Sequence, residues 1–288
     1  MHIITVPAFS DNYIWLICDE NKRYALIVDP GDPRQLMLTL EKEQIEPIAV
    51  LITHFHFDHA NGLPTLLERY PDLPIYGPQS EQDLLQNYPN YPPQYGPASN
   101  CFASIKNISN PLLGNEELHF DEIGCSFQVM NIPGHTSGHI AYYDALNKKL
   151  FCGDTLFGAG CGRVFDGSMK QLHDSLQKIA QLPEDTLLYC AHEYTLDNLG
   201  FAKWVEPDNA DILAREEADM ALIDSDQATV PSLLSLELKT NPFMRTHIPQ
   251  VIERVAQAKN KAQASNKTLN NSAEVFAAMR NWKDSEYD

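Results

Sequence analysis

The first half of the chain alternates short apolar runs with turn-forming residues, which is the pattern of β-strands. Ile3–Val6, Tyr13–Cys18 and Ala25–Val28 are such runs, and the last ends at Asp29-Pro30-Gly31-Asp32. The period then changes. Pro33 to Gln44 carries apolar residues at Leu36 and Leu40, with Ile45 just beyond, which is close to helical spacing. Pro47–Ile52 reads as a buried strand. Residues 87–110, rich in Pro, Tyr, Asn and Ser, predict a long loop or insertion. Leu118–Phe120, Cys125–Ile132, Ile140–Tyr143 and Lys149–Cys152 predict further strands, Ser168–Ala180 a helix, and Thr186–Cys190 a last buried strand.

From about Tyr194 strands give way to helical patterns, over Asp208–Ile223, Pro249–Ala264 and Ala273–Trp282. The expected organisation is a mixed α/β domain over residues 1–193, followed by a smaller α-helical domain over 194–288.

Composition narrows the class. No apolar run approaches the roughly 18 residues of a membrane span. The start, Met1-His2-Ile3-Ile4-Thr5, lacks the basic and apolar regions of a secretory signal, so a cytoplasmic protein is expected. The six cysteines form no CxxC pair and read as reduced thiols. The formal net charge of −18 excludes nucleic acid and anionic membranes as partners. An anionic small substrate would need a local basic cluster to overcome that field.

The chemistry concentrates directly after the Pro47–Ile52 strand, in Thr53-His54-Phe55-His56-Phe57-Asp58-His59. Imidazole and carboxylate suit zinc, iron or manganese. Alternate residues of an extended loop project to one side, so His54 and His56 can reach one ion. Asp58 and His59, past the turn, can face a second. The competing reading is a polar loop in which Asp58 caps the next helix. Three later segments also follow predicted strands: Pro133-Gly134-His135-Thr136-Ser137-Gly138-His139, Cys152-Gly153-Asp154-Thr155-Leu156-Phe157, and Ala191-His192-Glu193-Tyr194-Thr195. Each is weak alone; together they allow two complete sites.

As a set these motifs resemble the metallo-β-lactamase superfamily, over about residues 1–193. The resemblance implies an αββα sandwich with two metals at one edge. It implies His54, His56 and His135 on one ion, Asp58, His59 and His192 on the other, and Asp154 bridging both together with a water or hydroxide. His139 is outside the ligand set and is read as a supporting residue. His2, His119, His173 and His247 are read as surface or packing residues. Two divalent ions, most simply Zn2+ with Fe or Mn as alternatives, would lower the pKa of such a water to about 7 from 15.7. Asp58 and Asp154 are the carboxylates expected to take part in catalysis.

Further motifs resemble the glyoxalase II family: Gly160-Cys161-Gly162-Arg163, His192-Glu193-Tyr194-Thr195, Thr240-Asn241-Pro242-Phe243-Met244-Arg245 and Arg280-Asn281-Trp282-Lys283-Asp284. This resemblance implies hydrolysis of S-(R)-lactoylglutathione to D-lactate and glutathione, in methylglyoxal detoxification. It assigns Arg163, Tyr194, Arg280 and Lys283 to glutathione, and a guanidinium fork suits a carboxylate. The simpler reading of Arg280 and Lys283 is a solvated helix face. The chain departs from the family at Arg163, where Lys is common, and at Phe165, whose missing hydroxyl removes a hydrogen bond of about 0.5–1.5 kcal/mol. Phe55 and Ala191 are smaller departures. A monomer is expected. The alternatives are a lactonase or another thioesterase of the superfamily, a persulfide dioxygenase with one iron, a di-iron electron-transfer protein, and a non-catalytic metal-binding protein.

Overall fold

The structure, a computed structural model, describes residues 1–87, 107–263 and 268–287. Residues 88–106 of the expected long loop lie outside the described residues. The chain forms two compact units, Met1–Asn131 with Ser137–Gly153, and Ile132–Thr136 with Asp154–Asp288.

In the first unit, six strands form one sheet in the order β1 to β6: His2–Ala8, Asn12–Cys18, Tyr24–Val28, Glu46–Leu51, Ile75–Pro78 and Asn110–Leu112. The first three are antiparallel, and β3 to β6 run parallel. Strands inside such a sheet are covered on both faces, which explains the near-continuous apolar run of β2. Helix α1, Pro33–Glu43, starts at Asp32, whose carboxylate accepts the Arg34 N–H, and Pro33 takes the first turn, where a missing N–H costs nothing. Its Leu36 and Leu40 join Val6, Leu16, Ile27, Val50 and Phe55 in the core. Each such leucine contributes roughly 1.5–3 kcal/mol by burial. Three more helices follow: α2 (Phe57–Ala60), α3 (Leu63–Arg69) and α4 (Gln79–Asn87).

The same unit holds an antiparallel meander, β7 (Glu117–Phe120), β8 (Cys125–Asn131), β9 (Ile140–Asp144) and β10 (Lys149–Gly153). It lies against the first sheet: Tyr142 donates its hydroxyl to the Ile52 carbonyl at 2.7 Å, and the Tyr76 and Phe120 rings meet edge to face at 5.7 Å.

The second unit is mostly helical. A two-stranded ribbon pairs β11 (Leu156–Phe157) with β12 (Gly160–Cys161), and β13 (Leu187–Cys190) pairs with β14 (Ser232–Leu233). Its helices are α5 (Met169–Ile179), α6 (Thr195–Val205), α7 (Ala210–Ile223), α8 (Leu234–Thr240), α9 (Pro249–Gln263) and α10 (Ser272–Glu286). Ser168 and Asn271 cap α5 and α10 with side-chain oxygens. His173 of α5 meets the Phe276 ring of α10 at 5.8 Å and Ser272 at 3.1 Å, so it is a packing residue, whereas His2, His119 and His247 are exposed. Helix α6 was not expected. It buries Thr195, Asn198, Leu199, Phe201, Ala202 and Val205, so no clean apolar stripe marks it. No helix among the described residues is long and apolar enough to cross a membrane.

Candidate metal centre

The His-rich motif leaves the C-terminal end of β4, at the heart of the parallel pairing. Val28 of β3 lies opposite Leu51 of β4. The residues that follow the two strands therefore emerge side by side, and Asp29 and Thr53 meet. Asp29 is buried and holds a left-handed backbone at φ 52°. Its Oδ1 accepts the Thr53 N–H at 2.8 Å, and its Oδ2 accepts the Thr53 hydroxyl at 2.7 Å. The same Oδ2 lies 2.9 Å from Nδ1 of His59. Since the Thr53 hydroxyl is spent on Asp29, its oxygen is the acceptor for Nδ1 of His54, 3.1 Å away.

One carboxylate thus fixes two imidazoles. Both carry their proton on Nδ1 and present the Nε2 lone pair, as a metal ligand requires. Nε2 of His54 lies 3.0 Å from Nδ1 of His56, and Nε2 of His59 lies 3.6 Å from Oδ2 of Asp58. Asp58 does not cap α2, whose cap position is His56; its Oδ2 instead accepts the Asn12 amide at 3.0 Å. The chain passes very close here: a Cβ on Gly31 would fall 1.7 Å from the Asp58 carbonyl oxygen. His139 is fully buried and stacks on His54 at 4.6 Å.

In the second unit the remaining expected ligands converge on Asp154. Nε2 of His135 and Nε2 of His192 each lie 3.5 Å from its Oδ2. His135 donates Nδ1–H to the Arg163 carbonyl at 2.8 Å, so its Nε2 is again the bare nitrogen. The Phe165 ring meets His135 edge-on at 5.0 Å. The Tyr194 ring stacks on His192 at 4.7 Å, and Phe157 meets both rings from the side. Gly153, just before Asp154, has φ 48°, and a Cβ there would sit 2.4 Å from the Thr53 hydroxyl oxygen. Only glycine fits that approach.

The basic residues are not a solvated helix face. Arg280 is 1% exposed and Lys283 is 5% exposed. Nε and Nη2 of Arg280 hold Oδ1 of Asp284 at 3.1 and 2.7 Å, its Nη1 donates to the Cys161 carbonyl at 3.2 Å, and the guanidinium lies over the Phe243 ring. Lys283 sits over the Phe201 and Tyr287 rings, 3.7 Å from Asp197. The Arg163 side chain is 56% exposed, with Nε 3.8 Å from Asp284. Sequence reasoning missed Asp29 and Asp284. The Asp29-Pro30-Gly31-Asp32 turn was the one available signal for the first.

The donors fit divalent metal ions: imidazole Nε2 atoms without a proton, because named acceptors hold the ring proton on Nδ1, grouped with carboxylate oxygens. Five cysteines lie among the described residues. All are buried, and burial pushes the thiols of Cys18 and Cys161 up to about 11 and those of Cys125 and Cys190 to about 12.

Comparison with known proteins agrees with this chemistry. Residues 9–192 match the metallo-β-lactamase superfamily, and residues 193–286 match the hydroxyacylglutathione hydrolase C-terminus. A hydroxyacylglutathione hydrolase of Nitrosomonas eutropha is 41% identical over 282 residues, covering 98% of each chain. The chain belongs to the hydroxyacylglutathione hydrolase family. Its fold is that of the metallo-β-lactamases with a helical C-terminal part. The BLEG-1 B3 metallo-β-lactamase superposes with a TM-score of 0.62 at 23% identity, over 84% of this chain and 99% of that one. A protein crystallised in a di-iron-bound form superposes with a TM-score of 0.58 at 25% identity, over 84% of this chain and all of the other. Membership implies a pair of divalent ions as cofactor.

Proposed function

We propose that the chain hydrolyses S-(R)-lactoylglutathione and related 2-hydroxyacylglutathione thioesters to the 2-hydroxy acid and glutathione. The observation that carries this reading is the full-length identity, through both segments, with relatives named hydroxyacylglutathione hydrolase. A lactonase, a dioxygenase or an electron carrier would not require a C-terminal segment of this family.

His54, His56 and His135 would hold one ion, Asp58, His59 and His192 the second, with Asp154 shared; zinc is the simplest occupant of both. The ions, when bound, supply an acidified water and polarise the thioester carbonyl. The protein's own part is orientation. Asp29 and the Arg163 carbonyl keep the imidazole lone pairs directed. Asp58 and Asp154 offer carboxylate oxygens to take the proton lost by the attacking water and to return it to the thiolate that leaves as the C–S bond breaks. Arg163, Lys283 and Arg280 supply the local positive charge that a glutathione carboxylate needs on a chain of net charge −18, and Tyr194 adds a side-chain contact to glutathione. On this reading residues 1–193 carry the chemistry together with Arg163, and 194–288 the other substrate contacts. We read the protein as a cytoplasmic monomer without nucleic-acid or membrane partners.

The test is hydrolysis of S-lactoylglutathione and of a simple lactone by metal-replete protein. Thioester hydrolysis well above lactone hydrolysis is expected; its absence ends the reading. Arg280→Ala should raise KM by about 10- to 100-fold, the worth of a charged hydrogen bond, with a smaller fall in kcat. An unchanged KM removes Arg280 from the substrate site.

A further inference from the structure

The Thr240-Asn241-Pro242 motif has no part in the metal or substrate assignments, yet it reaches the same segment as they do. The β11–β12 ribbon begins two residues after Asp154, and its tip is Gly158-Ala159. Ala159 holds φ 53°, in the left-handed region. Side chains from α6, α8 and the turn after α8 take the polar backbone groups of this tip. Asn241 donates its amide to the Gly160 carbonyl at 2.9 Å and the Phe157 carbonyl at 3.4 Å. Asn198 donates to the Gly158 carbonyl at 3.0 Å. Glu237 accepts the Ala159 N–H at 2.9 Å and the Asn241 amide at 3.0 Å. Arg215 and Ser232 each donate to the other Glu237 oxygen at 2.7 Å.

Glu237 and Asn241 are fully buried, and Arg215 is nearly so. Such a network is costly to assemble unless every member is satisfied, and it leaves the tip one conformation. The ribbon carries Phe157, whose ring flanks both His192 and Tyr194, and Cys161, whose carbonyl receives Arg280.

We infer that Asn241 is a positioning residue for the reaction: by clamping the ribbon tip it holds Asp154 and Phe157 in register with His192. The inference rests on the thioesterase reading, and wild-type activity tests that reading separately. Asn241→Asp keeps size and the carbonyl that accepts the Phe243 N–H, but faces three acceptors with a carboxylate. Stability and kcat should both fall. Adding Glu237→Gln restores the net charge and gives the introduced carboxylate a donor, while the Gly160 and Phe157 carbonyls still lack one and the Ala159 N–H loses its acceptor.

The double variant should therefore recover part of the thermal stability. Its kcat should remain about tenfold or more below wild type with KM little changed, since small misplacements of reacting groups cost that much. Its zinc affinity, measured by chelator competition without substrate, should also stay low. Recovery of kcat and zinc affinity in parallel with Tm reduces Asn241 to a structural role and overturns the inference. Should the variants at this position not fold, Asn198→Ala removes one donor from the same tip without adding charge. It should lower kcat about threefold at unchanged KM, on the same positioning argument; an unaltered kcat overturns the inference.

Discussion

The two units orient their metal-binding groups by different means. In the first, four proposed ligands stand within six positions, and one buried acid, Asp29, sets two of the rings through Thr53 and His59. In the second, His135, Asp154 and His192 come from three separated segments. They are held by a backbone carbonyl, by stacked rings and by a ribbon pinned from the helices. The first arrangement is compact and depends on one side chain. The second is dispersed and depends on the fold around it. Damage should therefore be sharp and local in the first unit, and broader in the second.

That contrast can be broken by substitution. Asp154→Asn should have the largest effect, because one of its oxygens faces both His135 and His192. A loss in kcat/KM of about 1,000-fold, some 4 kcal/mol of transition-state stabilisation, is expected. A variant within tenfold of wild type would deny Asp154 its shared position. Asp29→Asn should be milder. It offers a single acceptor where Thr53 and His59 use two oxygens, and the His59 proton loses its fixed place. Metal affinity should fall about 10- to 100-fold, as for other partners of metal-bound histidines. Chelator titration checks this, and an unchanged affinity would mean that the rings orient themselves.

The smallest effect lies away from the metals. Asp32→Ala removes the cap of α1 and should cost about 1 kcal/mol at neutral pH. The Arg34 side chain bonded to Asp32 holds its carboxyl below the usual 3.8, so the folded state favours the ionised form. Its stabilisation is present above pH 3.8 and lost as pH falls through the lower, folded value. The gap in Tm between wild type and variant should close over that acid range. A constant gap would assign the cost to packing.

Much of this was legible in the sequence, for physical reasons. The strands of the first half betray themselves by apolar runs between turn residues, and the His54–His59 motif lies at a strand end, where such chemistry usually sits. Asp29 was not legible as a partner because only the parallel pairing of β3 with β4 brings it beside Thr53, 24 residues on. The short strands Ile75–Pro78 and Asn110–Leu112 contain Gly or Pro and exist by pairing with a buried neighbour, so local pattern misses them. Helix α6 escaped because it is buried on several sides. The burial of Arg280 and Lys283 was equally invisible, since spacing alone cannot tell a solvated face from one enclosed by Phe201, Phe243 and Asp284.

The protonated, enclosed cysteines bear on the company this protein keeps. A thioester passes its acyl group readily to a thiolate, and under the proposed function every turnover handles a thioester and releases a thiol. With thiols at about 11 to 12, the thiolate fraction at pH 7 is about one in ten thousand or less. The backbone carbonyl of Cys161 receives Arg280, a residue proposed for the substrate. Burial therefore keeps these four sulfurs out of acyl exchange and mixed disulfides.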